Sequence, residues 1–132
     1  MNTSLNIYCI YNAKGSLFGE IKYLKDKYLH GVKCSMCEIT HNAFTPKAYW
    51  KERLKSFQFN IHTLHLDEQN KNLKDFTKDL LPCVVGENEM EFKLLLSTNE
   101  LNEFRGDVDL FFKKLNLKIR FDYSSLLKAK DL

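Results

Sequence analysis

The run Leu5 to Tyr11, LNIYCIY, restricts the architecture more than any other part of the chain. It is nearly all apolar, carries Ile and Tyr, and ends at the turn residues Asn12-Ala13-Lys14-Gly15. A short strand that is apolar on both sides needs cover on both faces, which makes it a central strand of an α/β sheet rather than part of a one-sided meander. The following segments offer that cover. Ser16 stands as a cap before Leu17, Phe18, Ile21, Leu24 and Tyr28 at helical spacing, and His30-Gly31 stops the pattern. Thr45-Pro46 has the form of a cap with proline at the first helical position, which predicts a helix from Pro46 to Phe57 with Trp50, Leu54 and Phe57 on one side.

Phe59 to Leu66 mixes β-branched, aromatic and histidine residues without helical spacing and reads as a strand, followed by a short polar helix over Asn72 to Leu80. Leu81 to Val85 and the alternating Met90, Phe92, Leu94 and Leu96 predict a hairpin turning at Gly86-Glu87-Asn88. Ser97 and Glu100 have capping-box spacing before a helical stretch through Leu101 and Phe104, with Val108, Phe111, Phe112 and Leu115 beyond Gly106. Leu117, Ile119, Phe121 and Tyr123 alternate. That pattern predicts a tail, 117–132, outside a single domain of residues 1–116, available for packing or for a homodimer contact.

Composition excludes several functions. A chain of 132 residues with 44% apolar and 13% aromatic content has enough to bury for one domain and too much for disorder. A formal charge of +3, with no basic run longer than Lys113-Lys114, is too weak a footprint for phosphate-backbone binding, so no nucleic-acid partner is expected. No stretch approaches the roughly 18 apolar residues of a membrane span. Met1 to Tyr11 lacks the basic start and small-residue cleavage site of a secretory leader, so a cytoplasmic location is expected. Thiols stay reduced there, and a Cys-x-x-Cys is then redox-active or metal-binding more readily than a structural staple.

The element order is strand, helix, an extra helical segment, strand, helix, strand, strand, helix. Right-handed parallel crossovers followed by a hairpin give a four-stranded mixed sheet with helices on both faces. This plan resembles the minimal thioredoxin or glutaredoxin fold, with a helical insertion carrying the Cys-x-x-Cys between the first helix and the second strand. Leu81-Pro82-Cys83 occupies the place where such folds open their third strand with a cis-proline, and the resemblance implies that isomer at Pro82.

Four short motifs occur in a recognisable order: Tyr11-Asn12-Ala13 at the end of a strand, Cys34-x-x-Cys37 with Thr40-His41, His65-x-Asp67-Glu68, and Leu81-Pro82-x-Val84. In that order they resemble a family of small, largely uncharacterised bacterial proteins with a thioredoxin-like plan, some of which carry a GTPase label. The resemblance spans roughly residues 5 to 104. Cys9, Cys83 and the long C-terminal tail depart from the pattern. No GTPase chemistry is expected, because the chain has no G-x-x-x-x-G-K-[S/T] and Asn12 to Ser16 lacks the glycines that cradle phosphates.

If Val32 to about Asn42 is helical, Cys34, Cys37 and His41 share one face. A thiolate in a first helical turn is favoured by unpaired backbone N–H groups, so Cys34 is the candidate nucleophile, Cys37 the resolving thiol and His41 the proton acceptor or charge partner. The partner would be a protein or a small thiol. The alternative is a zinc site of Cys34, Cys37 and His41, with His65, Asp67, Cys83 or water as the fourth ligand. Two packed thiols and a hydrogen-bonded histidine are the bland counterpart of both. A third reading is a noncatalytic protein-interaction module whose tail, through Leu117, Ile119, Phe121 and Tyr123, mediates dimerisation. His62 and His65 point to opposite faces of one strand, Cys9 reads as core, and Cys83 lies beside Pro82 at the expected ligand end.

Overall fold

The computed structural model describes residues 5–12, 35–42 and 45–124. The predicted helix over Leu17 to Tyr28, Cys34, and residues 125–132 lie outside them. In chain order the described elements are β1 (Asn6–Ile10), α1 (Ser35–Thr40), β2 (His41–Asn42), β3 (Thr45–Pro46), α2 (Ala48–Ser56) and β4 (Asn60–Leu64). A 3-10 turn (Leu66–Glu68) follows, then α3 (Lys71–Thr77), β5 (Cys83–Asn88), β6 (Glu91–Leu96), α4 (Thr98–Phe104) and α5 (Val108–Asp122).

Four of the strands form one mixed open sheet in the order β4-β1-β5-β6. β1 pairs parallel with β4 and antiparallel with β5, and β5 pairs antiparallel with β6. The expected α/β class and mixed sheet are therefore present, with β1 in the interior. Its alternation explains why: Leu5, Ile7, Cys9 and Tyr11 join the larger core on one face, while Ile10 joins a smaller core on the other. The larger core is closed by Met36, Cys37 and Ile39 of α1, Trp50 of α2, Leu101 and Phe104 of α4, and Phe111, Phe112, Leu115 and Ile119 of α5. Trp50 packs its ring 5.4 Å from Phe111 and 5.3 Å from Phe112. On the opposite face Leu73 and Phe76 of α3 cover Ile10, Cys83 and Val85. The Leu81–Pro82 bond that precedes β5 is cis.

Several boundaries differ from the sequence expectation, each for a packing reason. The hairpin turns at Glu89-Met90, both with positive φ (51° and 68°), and not at Gly86-Glu87-Asn88. Gly86 is a strand residue, and Tyr123, which follows α5, lies over it: a Cβ there would sit 2.7 Å from the tyrosine Oη. Met90 consequently leaves the alternation and is 85% exposed at the turn. A register shift pairs Val84 with Leu96 and Val85 with Leu94, so that Leu95 is extra and turns into the larger core while Leu94 is exposed.

α2 begins at Ala48 rather than Pro46. Pro46 pairs with His41 in the β2–β3 ladder, and the Lys47 backbone N–H is held by the Thr40 carbonyl at 2.8 Å. The stretch from Leu117 to Asp122 is not an alternating strand but the last six residues of α5, so residues up to Asp122 continue the helix that begins at Val108. Ile119 and Tyr123 are buried, whereas Leu117 and Phe121 are 52% and 84% exposed. Among the described residues no helix is long and apolar enough to cross a membrane.

Candidate functional site

Tyr11 continues β1 by donating its backbone N–H to the Leu64 carbonyl at 2.8 Å, at the edge where β1 and β4 both end. β5 begins at the same edge, since Ile10 lies opposite Cys83. The end of α1 reaches this edge: the Tyr11 and Thr40 hydroxyls are 3.0 Å apart, and Thr40 Oγ1 lies 2.6 Å from Nδ1 of His41. α1 stops at Thr40, and His41 enters β2. His41 is therefore not on a common helical face with Cys37, as the spacing predicts, because its backbone is taken up by pairing with Pro46.

His41 and His65 meet around the Tyr11 ring, which lies 5.8 Å from His41 in an edge-on arrangement and 5.0 Å from His65. Glu68 orients His65 by accepting from its backbone N–H at 2.7 Å and lying 2.8 Å from Nδ1. Burial, and next the nearby His65, lower the pKa of His41. The two hydrogen bonds from His65 lower that of Glu68. Burial raises Tyr11 to about 12, against the opposing effect of its Thr40 and Thr63 hydroxyl neighbours.

The cysteines separate. Cys37 is 1% exposed in the larger core and is disulfide-bonded. Cys9 and Cys83 are buried free thiols. Cys9 lies in the larger core, as its strand position predicts, and burial pushes its pKa up. Cys83 faces the smaller core on the opposite side of the sheet from Cys37, with its pKa raised by burial to about 12. Pro82 is buried, and its carbonyl accepts from the Thr98 hydroxyl at 2.7 Å. His62 stands apart at the β4 surface, stacked 5.3 Å from Tyr8 with Nε2 3.1 Å from Asn6 Oδ1.

Of the residues singled out by sequence, His41 and His65 are thus brought together and Cys37 lies one turn before Thr40, while Cys83 faces away. Asp67 is exposed in the 3-10 turn. Among the described residues no three His, Cys, Asp or Glu side chains are placed to hold a metal ion. Spacing alone does not single out Tyr11, Thr40 or Glu68 as site residues. Tyr11, Thr40-His41 and His65 to Glu68 lie far apart in the chain and meet at this one edge. Compared with family models, curated proteins and solved structures, the chain shows no match.

Proposed function

We propose that this chain is a cytoplasmic thioredoxin-like protein in which Cys34 and Cys37 cycle between dithiol and disulfide, exchanging two electrons with a protein or small-thiol partner. The thioredoxin-like reading draws on the β4-β1-β5-β6 order, with β1 parallel to β4 and antiparallel to β5. One observation carries the chemistry: Cys37 is disulfide-bonded while Cys9 and Cys83 are free.

In the reducing direction the Cys34 thiolate attacks a partner disulfide, and one partner sulfur leaves with the bonding pair and takes a proton. Cys37, as thiolate, then attacks Cys34 Sγ in the mixed disulfide. This forms the Cys34–Cys37 bond and expels the second partner thiol, so that two protons and two electrons reach the partner. The near-complete burial of Cys37 suits the resolving role, which needs no access for the partner. Zinc coordination by Cys34, Cys37, His41 and His65 competes for the same sulfur. It requires Cys37 as a thiolate, since a disulfide sulfur is not a zinc ligand of this kind.

Counting thiols tests the reading. Denatured without reductant, the protein should alkylate at two cysteines, Cys9 and Cys83; after reduction all four should react. Glutathione disulfide should restore the oxidised count in the folded protein, and Cys34→Ser should expose Cys37 to the alkylating reagent in the denatured, unreduced chain. Alkylation at all four positions before reduction sinks the disulfide reading. Stoichiometric zinc in reduced protein, lost in Cys34→Ser, would establish coordination instead.

A further inference from the structure

We propose that the outward face of α5 docks this chain on an anionic lipid surface. Leu110, Leu117 and Phe121 enter the interface, and Lys113, Lys114 and Arg120 meet the negative headgroups. The surface is independent of the thiol chemistry.

The fold uses the inward face of α5, since Val108, Phe111, Phe112, Leu115 and Ile119 belong to the larger core. The outward face is not uniformly polar in return. Leu110, Leu117 and Phe121 are exposed, Phe121 by 84%. At about 100° per residue the three fall within roughly 40° of one another and form a single ridge about 16 Å long. Arg120 and Lys113 run along one side of that ridge, and Lys114 and Lys118 along the other. Lys118 lies 3.6 Å from Glu100. Lys113, Lys114 and Arg120 are exposed and have no carboxylate partner among the described residues. Asp109 and Asp122, the acidic residues of α5, fall outside this arc, and Asp109 is engaged by Tyr49 and Arg53.

Charge selects the occupant. A second copy packed ridge to ridge would set basic rims against basic rims. Within this chain, residues 13–34 carry five Lys against two carboxylates, and residues 125–132 carry two Lys against one, so neither segment complements the face. The complement is anionic. A convex ridge with cations on both sides suits a surface that is flat and negative across its whole width. The lysine and arginine stems then lie along the apolar ridge and carry their charges to the headgroups while the ridge sinks between them. A protein partner would need a groove with acidic groups on both rims, whereas an anionic lipid surface presents that charge everywhere.

Vesicle sedimentation with the full chain tests the proposal. The protein should bind vesicles of phosphatidylcholine mixed with phosphatidylserine, should not bind phosphatidylcholine alone, and should be released as salt is raised. Phe121→Gln and the double variant Lys113→Gln/Lys114→Gln should each weaken binding about tenfold. Both replace exposed side chains, so their urea midpoints should match the wild type. Lys71→Gln/Lys74→Gln, the same loss of charge on α3 across the sheet, should bind as the wild type does. Absence of binding to the mixed vesicles, equal binding to both compositions, or an equal loss in the α3 variant overturns the proposal. So does a Phe121→Gln protein that binds as tightly as the wild type, because charge alone would then be responsible. A dimer that Phe121→Gln disperses, in a protein that ignores vesicles, assigns the ridge to a second copy and overturns it as well.

Discussion

Gly86 and Tyr123 show how one pair of residues sets the shape of the β5–β6 hairpin. The tyrosine hydroxyl is buried with no hydrogen-bond partner among the described residues, and it occupies the space that a side chain at position 86 would need. Leu95 Cδ1 closes the same space, 3.1 Å from where a Cβ would stand. Gly86→Ala should therefore destabilise the protein by about 1–3 kcal/mol through overpacking. Tyr123→Phe removes a buried hydroxyl that has lost its water without gaining a partner, and should be neutral or stabilise by about 1 kcal/mol. Because the nearest atom is Oη, the alanine should cost less in the Tyr123→Phe background. Urea unfolding of both single variants and the double variant measures this coupling, and strict additivity would show that the hydroxyl is not the obstacle.

The elements that local chemistry specifies are the ones that periodicity and capping place well. α4 begins where Ser97 and Glu100 predict: Ser97 Oγ accepts from the Glu100 backbone N–H at 3.2 Å, and Glu100 Oε1 accepts from the Ser97 N–H at 3.0 Å. Ser97→Ala should cost about 1 kcal/mol, while Ser97→Asp should retain most of the stability, both read from urea midpoints. α1 is the opposite case. Three-and-four spacing puts Cys34, Cys37 and His41 on one face only while the helix lasts, and the helix ends at Thr40 because β2 pairs with β3. No local residue pattern announces that two-residue ladder. α5 likewise runs through Leu117 and Phe121, whose alternation with Ile119 and Tyr123 reads equally as a strand until the helix packs Ile119 and Tyr123 into the core.

Across the molecule, stability should depend on pH through the cluster at the sheet edge. His41 has a folded pKa below its ordinary value of about 6.5. Its neutral form is thus favoured in the folded state, and its contribution is complete above that value. As pH falls below about 6.5 the unfolded chain binds the proton first, and stability is lost until the folded His41 protonates too. Glu68, also lowered, adds a further loss in more acid solution as pH falls through its folded value. Unfolding midpoints measured from about pH 7 to about pH 5 should decline in the wild type and decline less in His41→Gln. An equal slope in both proteins would show that His41 is not the group responsible.

The chain alone established a central strand, the helices and strands with strong periodicity, the hairpin's existence and a four-stranded mixed sheet. Those features follow from which side chains avoid water and from residues within a turn of each other. The tertiary structure set the hairpin turn, the extra residue at Leu95, the end of α1 and the meeting of His41 with His65 around Tyr11. Each depends on contacts between residues far apart in the chain: 37 positions separate Gly86 from Tyr123, and 29 separate Tyr11 from Thr40. Burial and steric fit at such contacts are properties of the folded packing, so no local pattern encodes them.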